Sequence, residues 1–231
     1  MSGLFGLVQA RMGSSRLPGK VLKPLVGKPL VGHIFDRLLA VKHIEGVVLA
    51  TTIDPRNDPM ITYAESRGIL VYRAAEENDI AGRLAGAARL TGAEAFLKVN
   101  ADCPMIDPSI MQLIVDAWRS NSDADYVSNK VVWTWPEGMS AELIGRSAIE
   151  YCDKKLKTPE EREFVANWVR DHRELFKVVS VEGPENLTRY KWSVDTPEDF
   201  SEAELLFNAL YPIDPLFGLE ALKNYLRDSE A

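Results

Sequence analysis

Short apolar segments alternate with helix-forming segments along the first half of this 231-residue chain, and this alternation limits the fold more than any other feature. The apolar segments are residues 4–8, 47–50, 69–72 and 95–99. Residues 47–50 are apolar throughout, as in a strand that is covered on both faces. The segments between them carry apolar residues at helical spacing, and caps such as Asp58-Pro59 and Asp107-Pro108 mark helix starts. The alternation predicts a three-layer α/β/α fold with a central, mostly parallel sheet.

The pattern changes after residue 128. Apolar and other side chains alternate over residues 131–135, Pro-Glu-Gly follows at 136–138, and residues 141–144 are apolar again. This predicts a projecting hairpin over residues 130–144. The further predicted elements are helices at residues 146–156, 159–172, 197–210 and 219–226, and strands at 177–181 and 190–194. No segment has the composition of a linker, so residues 1–231 are predicted to form a single domain.

Composition and charge exclude several classes of function. A net charge of −7 and an isoelectric point near 5.1 argue against a nucleic-acid-binding face. The sequence has no secretory leader and no apolar run that could span a bilayer, so we expect a cytoplasmic protein without a membrane partner. Cys103 and Cys152 are far apart in sequence and the three histidines are scattered, which predicts free thiols and no zinc site.

The segment after the first apolar run is strongly basic. Residues 1–35 contain five Lys or Arg and no acid, so this segment carries +5 and the remainder −12. Glycines and serines between Arg11 and Lys20 allow close approach of backbone N–H groups to an anion. It is not a P-loop, because five residues separate Gly13 from Gly19-Lys20 and Val21 replaces the Ser or Thr, and no Gly-x-Gly-x-x-Gly occurs. The loop therefore predicts a site for one small, highly charged anion.

Two aspartates follow predicted strands elsewhere in the chain. Asp102 comes after the strand at residues 95–99, and Asp195 after the strand at residues 190–194. Ligands of open α/β sheets bind at the carboxyl ends of strands, so we expect both carboxylates to lie near the basic loop. Together with a triphosphate they would suit Mg²⁺, which prefers oxygen ligands. Taken singly, Asp195 would equally complement a helix dipole, and Asp102 would equally hold its own turn.

The sequence Gln-Ala-Arg-Met-Gly-Ser-Ser-Arg-Leu-Pro-Gly-Lys at residues 9–20 resembles the signature loop of the acylneuraminate and CMP-sugar cytidylyltransferases. The resemblance is greatest to their branch named for the spore-coat polysaccharide biosynthesis protein SpsF. Residues 99–108 and 192–200 resemble the motifs whose aspartates bind metal. Weaker similarities follow the family's order at residues 50–52, 79–83, 136–138 and 161–163, so that the resemblance covers essentially the whole chain.

The resemblance implies a Rossmann-like, GT-A-like nucleotidyltransferase that transfers CMP from CTP to an acidic sugar or related acceptor. It further implies Mg²⁺ as cofactor, release of pyrophosphate, a role in surface polysaccharide synthesis and a homodimer, in which we expect the hairpin to pack. The implied catalytic residues are Arg11, Arg16 and Lys20 for the triphosphate and Asp102 and Asp195 for the metal. The implied nucleotide-binding set is Ala10, Arg11, Gly13, Ser14, Ser15, Arg16, Lys20, Arg73 and Arg83. Glu142 and Arg162 are the implied acceptor-binding residues.

Departures from the family pattern leave the acceptor open. Ala101 replaces a common Gly, Ser140 replaces an acid, and Phe-Val-Ala-Asn at residues 164–167 replaces His-Val-Thr-Pro. The choice of CTP over another nucleoside triphosphate also stays open. One alternative is a nucleotide-sugar-dependent glycosyltransferase, but its Asp-x-Asp motif is absent from residues 101–103. The other is a catalytically silent nucleotide-binding subunit, which release of pyrophosphate from CTP with any acceptor would exclude.

Overall fold

The computed structural model describes residues 3–230, and the side chains of residues 3–228. In this range the strands are β1 (Leu4–Gln9), β2 (Pro24–Leu25), β3 (Lys28–Pro29), β4 (Gly46–Thr52), β5 (Leu70–Ala74), β6 (Ala95–Asn100), β7 (Tyr126–Ser128), β8 (Glu142–Gly145) and β9 (Val178–Ser180). The α-helices are α1 (Leu30–Leu39), α2 (Asp58–Ser66), α3 (Ile80–Thr91), α4 (Pro108–Ser120), α5 (Arg146–Lys155), α6 (Pro159–Glu163), α7 (Val165–Asp171), α8 (Pro197–Leu210) and α9 (Leu219–Glu230). None of these helices combines the length and apolar character that crossing a bilayer requires.

Seven strands form one mixed sheet with the order β5-β4-β1-β6-β8-β7-β9. Strands β5, β4, β1 and β6 are mutually parallel, so β1 and β6 end side by side, with Gln9 paired to Asn100. Strand β8 is antiparallel to β6 and β7, and β9 is parallel to β7. The short β2–β3 pair forms a separate antiparallel ribbon after the basic loop.

Helices cover both faces of the sheet because successive residues of each strand point to opposite sides. On β1, Val8 packs in the core shared with α1, α4 and α8, whereas Leu7 packs in the core shared with α3, α5 and α7. The same alternation separates Leu97 from Phe96 on β6. The predicted α/β/α architecture and its four early strands are therefore confirmed.

Three local predictions are wrong. Residues 131–135 form no strand, and the antiparallel pair in this region is β7 with β8, joined by an irregular connection. Residues 190–194 also form no strand, and they contribute one isolated bridge, Glu137 to Lys191. The helix predicted over residues 159–172 is interrupted at Phe164, which separates α6 from α7.

The two tryptophans of the irregular connection between β7 and β8 have different surroundings. Trp135 is buried, and its indole Nε1 donates to the carbonyl of Val181 at 2.8 Å. Trp133 is partly exposed, and the ammonium of Lys130 lies over its ring. Trp135 therefore packs inside its own chain, because burial of an indole is favourable when its N–H has a hydrogen-bond acceptor.

Candidate active site

The basic loop after β1 folds back and directs one lysine into the protein. The N–H of Gly19 donates to the carbonyl of Met12 at 3.1 Å, and Gly19 has φ 70°, a left-handed conformation that glycine adopts without steric cost. A 3₁₀ turn over Lys20–Leu22 follows directly, and the Lys20 side chain is buried. The exposed residues of the loop are Arg11, Gly13, Ser15, Arg16 and Pro18.

Lys20 brings the two predicted metal-binding aspartates together. Its Nζ lies 2.9 Å from Oδ1 of Asp195 and 3.8 Å from Oδ2 of Asp102, and it donates to the carbonyl of Val194 at 2.6 Å. The N–H of Val194 in turn donates to the Asp102 carbonyl at 2.7 Å, which fixes the two segments side by side. Arg16 adds a second cation, 3.2 Å from Oδ1 of Asp195. Two carboxylates and two cations therefore share this centre.

Hydrogen bonds, rather than a strand, hold Asp195 in place. Its own N–H and that of Thr196 both donate to Oδ2 of Asp199, at 2.8 and 2.9 Å. The Thr196 side chain accepts from the N–H of Asp199, which completes a capping box at the start of α8. On the preceding side, the N–H of Trp192 donates to the carbonyl of Glu137 at 2.7 Å. The Pro-Glu-Gly turn thus supports Asp195 from a distant part of the chain.

Asp102 lies in the turn that follows β6. The Ala101 N–H donates to the carbonyl of Gln9 at 3.3 Å, so this turn stays beside the end of β1. The Cys103 thiol lies 3.2 Å from Oδ1 of Asp102 and donates to it. Burial raises the pKa of Cys103 well above its usual value, and the Asp102 charge acts in the same direction. Cys103 is therefore a protonated donor that orients Asp102.

A cleft of about 580 Å³ opens at the carboxyl ends of β1 and β6. The predicted site residues that line it are Ala10, Arg11, Arg83, Asp102 and Glu142. Residues 13–20 and Asp195 lie outside this wall, and Lys20 links Asp195 to the cleft-lining Asp102. The remaining wall is formed by residues from β1, from the segment before α3, from β6 and the turn after β7, and from the junction of α6 and α7: Gln9, Glu77, Asn78, Ile80, Lys98, Asn100, Lys130, Glu163, Phe164, Ala166 and Asn167.

A buried ion cluster forms part of the cleft wall. Lys98 Nζ lies 3.1 Å from Oε1 of Glu142, the Tyr126 hydroxyl donates to Oε2 at 2.7 Å, and Lys130 Nζ lies 3.9 Å from Oε1. Burial alone would raise the pKa of Glu142. Lys98, Lys130 and Tyr126 outweigh this effect and together lower the pKa to about 2. The sequence interpretation missed both lysines. A single lysine inside the apolar run Phe-Leu-Lys-Val was the available signal for Lys98.

Arg11 and Arg83 line the cleft from neighbouring positions. Arg11 forms an ion pair with Glu77. Arg83 is buried and donates to the carbonyls of Glu76 and Glu77, and its Nε has no hydrogen-bond partner within the described chain. Burial lowers the pKa of Arg83, and the neighbouring Arg11 charge lowers it further. The structure therefore brings two of the predicted nucleotide-binding arginines to one wall.

Two other predicted arginines have structural partners away from the cleft wall. Arg73 donates to the carbonyl of Ile53 at 3.1 Å and to Asp58 at 2.9 Å. Arg162 forms two hydrogen bonds with Asp79, at 2.8 and 2.9 Å, and a third with Asp153 at 2.9 Å. Paired donation to one carboxylate is a strong and geometrically specific contact. Arg162 thus fastens α6 to the N-terminus of α3 and to α5.

The family model described as cytidylyltransferase matches residues 5–209, which is most of the chain. The chain belongs to the cytidylyltransferase family. It is therefore an enzyme of the nucleotidyltransferase class, and the matched residues include the basic loop, Asp102 and Asp195.

Three similar proteins illustrate the family. The spore coat polysaccharide biosynthesis protein SpsF of Bacillus subtilis is 27% identical over 90% of this chain and 87% of its own length. The 3-deoxy-manno-octulosonate cytidylyltransferase of Escherichia coli is 31% identical over 52% of this chain and 48% of its own. A cytidylyltransferase structure from Leptospira borgpetersenii has a TM-score of 0.92 and 28% identity, covering 100% of this chain and 96% of that one. These likenesses confirm the predicted nucleotidyltransferase fold and the predicted resemblance to the SpsF branch.

Proposed function

We propose that this enzyme transfers CMP from CTP to a sugar acid or a related sugar-like acceptor in the synthesis of a surface polysaccharide. An acceptor oxygen forms a bond to the α-phosphorus, and the bond between that phosphorus and the bridging oxygen of the β-phosphate breaks. Pyrophosphate leaves with the electron pair, and the acceptor proton passes to solvent. The name of the family supports CTP, and the names of SpsF and of the Escherichia coli relative support the acceptor class.

One observation carries this proposal: Asp102 and Asp195 meet at the Lys20 ammonium beside a cleft at the strand ends. Phosphoryl-type transfer depends mainly on positioning and on neutralising negative charge. The centre joins two carboxylates to a loop that carries Arg11, Arg16 and exposed small residues. We assign Gly13, Ser14 and Ser15 to the phosphates through their backbone, and the loop cations to the departing pyrophosphate.

The donor atoms of this centre suit Mg²⁺. Asp102 and Asp195 offer carboxylate oxygens, and Mg²⁺ is commonly held by one or two carboxylates together with substrate phosphates. Among the side chains of residues 3–228, no group of three or more His, Cys, Asp or Glu forms a ready cage, so we propose that the nucleotide completes the site. Bound there, Mg²⁺ would neutralise charge on the nucleotide phosphates and polarise the α-phosphate.

The far wall of the cleft is assigned to the acceptor. Phe164 is 53% exposed, and with Asn167 it lies at the junction of α6 and α7. Arg162 fixes this junction to the body of the protein, so we propose that it acts on the acceptor indirectly. Glu142 contributes through the ion cluster with Lys98 and Lys130. These residues include the stretch that departs from the family pattern, so the acceptor is the substrate on which this chain is expected to differ from its relatives.

The proposal is tested by incubating the protein with CTP, Mg²⁺ and a panel of acceptors, and by measuring pyrophosphate together with the mass of the product. The panel contains 3-deoxy-manno-octulosonate, a nine-carbon 2-keto sugar acid, a hexose 1-phosphate and a neutral hexose. We expect pyrophosphate and a CMP-linked product with an acidic acceptor, less product with ATP, GTP or UTP, and none with EDTA. Intact CTP with every acceptor would favour the silent nucleotide-binding subunit instead.

A further inference from the structure

Lys20 occupies the position at which both proposed metal ligands converge. Its side chain is buried, and its Nζ contacts Asp195 at 2.9 Å and Asp102 at 3.8 Å. Its third partner is the carbonyl of Val194, which accepts a hydrogen bond from Nζ at 2.6 Å. With Arg16 on the same oxygen of Asp195, two positive side chains balance the two carboxylates. The centre of the free protein is therefore electrically neutral without a metal ion.

We propose that the Lys20 ammonium and a divalent cation are alternative occupants of the Asp102–Asp195 pair, so that the cation binds with the nucleotide and not before it. The ligand of the free enzyme is then a metal–triphosphate complex. This inference rests on the proposed function for the identity of the nucleotide, and it adds the order in which nucleotide and cation bind.

Electrostatics supply the physical reason. A divalent cation within reach of both carboxylates would lie close to the ammonium of Lys20, and like charges at such separations repel strongly where water is partly excluded. Moving Lys20 aside without a replacement anion would also leave a buried ammonium without a partner, which is costly. A triphosphate provides that anion, because its oxygens can accept hydrogen bonds from Lys20 and Arg16. The carboxylates are then released for the cation.

The test measures binding of Mn²⁺, a paramagnetic substitute for Mg²⁺, by electron paramagnetic resonance in the absence of nucleotide. We expect no saturable binding to the wild-type protein up to about 1 mM, and one site per chain in Lys20→Gln that is at least about tenfold tighter. Lys23→Gln is the matched control, because Lys23 lies over the Phe200 ring and loses the same charge three residues away. Asp195→Asn combined with Lys20→Gln should abolish the new site.

Equal Mn²⁺ affinity in wild type, Lys20→Gln and Lys23→Gln would overturn the inference. Circular dichroism establishes whether the variants are folded. If Lys20→Gln does not fold, wild-type crystals are soaked in Mn²⁺. Anomalous scattering then shows whether the ion binds between Asp102 and Asp195 without nucleotide. A Mn²⁺ peak between Asp102 and Asp195 with Lys20 unmoved would contradict the inference, and an empty pair that fills when CTP is added would support it. Failure of pyrophosphate release with every acceptor would reject the proposed function and leave these Mn²⁺ results standing.

Discussion

At the floor of the cleft, Glu142 accepts hydrogen bonds from Lys98 and from the Tyr126 hydroxyl, and it is almost completely buried. A buried carboxylate remains charged only where its partners outweigh the loss of water. Here they do, because the pKa of Glu142 falls to about 2 against a usual value of 4.5. The ion pair thus ties β6 to β8, and removal of either partner would leave an uncompensated charge.

The depressed pKa of Glu142 makes stability depend on pH in acid. A carboxyl whose pKa is lowered on folding stabilises the protein fully above its unfolded pKa, here 4.5, and this contribution is lost as the pH falls towards 2. Glu142→Gln should therefore reduce the loss of unfolding free energy between pH 4.5 and 2, by on the order of 3 kcal/mol. At pH 7 the same variant should be less stable by about 3–5 kcal/mol, because Lys98 is left buried and unpaired.

Urea denaturation at a series of pH values measures both effects. Glu150→Gln is the control, because Glu150 pairs with Arg146 at 2.7 Å on the surface of α5, and its pH profile should match wild type closely. A Glu142→Gln profile parallel to that of wild type from pH 4.5 to 2 would contradict the assignment.

The location of a site residue could be predicted where that residue directly follows a predicted strand or lies in a recognisable motif. Lys20, Asp102 and Asp195 follow apolar or motif-bearing segments, and the structure brings all three together. The roles of Arg73 and Arg162 were not predictable in this way. Their partners, Asp58 for Arg73 and Asp79 and Asp153 for Arg162, come from other parts of the chain, and sequence order does not reveal which carboxylate an arginine meets.

At the scale of elements, the Pro-Glu-Gly turn and residues 190–194 support each other. Gly138 has φ 92°, and a Cβ added there would lie 2.5 Å from the carbonyl carbon of Trp192 and 2.6 Å from the nitrogen of Ser193. Both neighbours are backbone atoms that cannot rotate away. The close approach allows the hydrogen bonds from Trp192 and Ser193 to Glu137, and these position the segment that carries Asp195.

Gly138→Ala should therefore be strongly destabilising and should also impair activity. The left-handed φ alone costs about 1–2 kcal/mol for a residue with a Cβ, and the backbone clash adds a cost that only movement of residues 190–194 can relieve. Gly68→Ala is the matched control, because Gly68 has φ 71° with no atom within 4 Å of an added Cβ. We expect Gly68→Ala to show the φ cost alone in urea denaturation. Equal stability losses in the two variants would show that the close approach at Gly138 is unimportant.

Strands with a clear apolar sequence pattern could be predicted, whereas segments whose backbone is held by contacts with other loops could not. Strands β1, β4, β5 and β6 are mainly apolar, and the structure places each within two residues of its predicted bounds. Residues 131–135 and 190–194 also alternate, but their backbone groups bond to other loops, as Trp192 does to Glu137. Tertiary contacts overrode the local pattern there, as is common for β-type segments.

At the scale of the whole molecule, distant parts of the chain complete one site. The parallel arrangement of β1 and β6 puts the basic loop beside Asp102, and the segment before α8 returns to add Asp195 from near the end of the chain. This convergence could be predicted from the rule that ligands bind at the carboxyl ends of parallel strands. The homodimer and the cytoplasmic location stay predictions. Trp133, rather than the buried Trp135, is the tryptophan free to contribute to a subunit interface.

The most direct test of the central claim compares Asp195→Asn with wild type in the pyrophosphate assay, using the acceptor that the panel identifies. Asparagine keeps the shape of the side chain but removes the charge that meets Lys20, Arg16 and the proposed Mg²⁺. We expect the rate to fall by roughly 10²- to 10³-fold, in a variant that still folds but melts at a lower temperature, because buried Lys20 keeps only the more distant carboxylate of Asp102. Asp123→Asn, which removes an exposed carboxylate paired with Lys177, should keep the wild-type rate. Wild-type turnover by a folded Asp195→Asn variant would contradict the claim that Asp102, Asp195 and Lys20 form the catalytic centre.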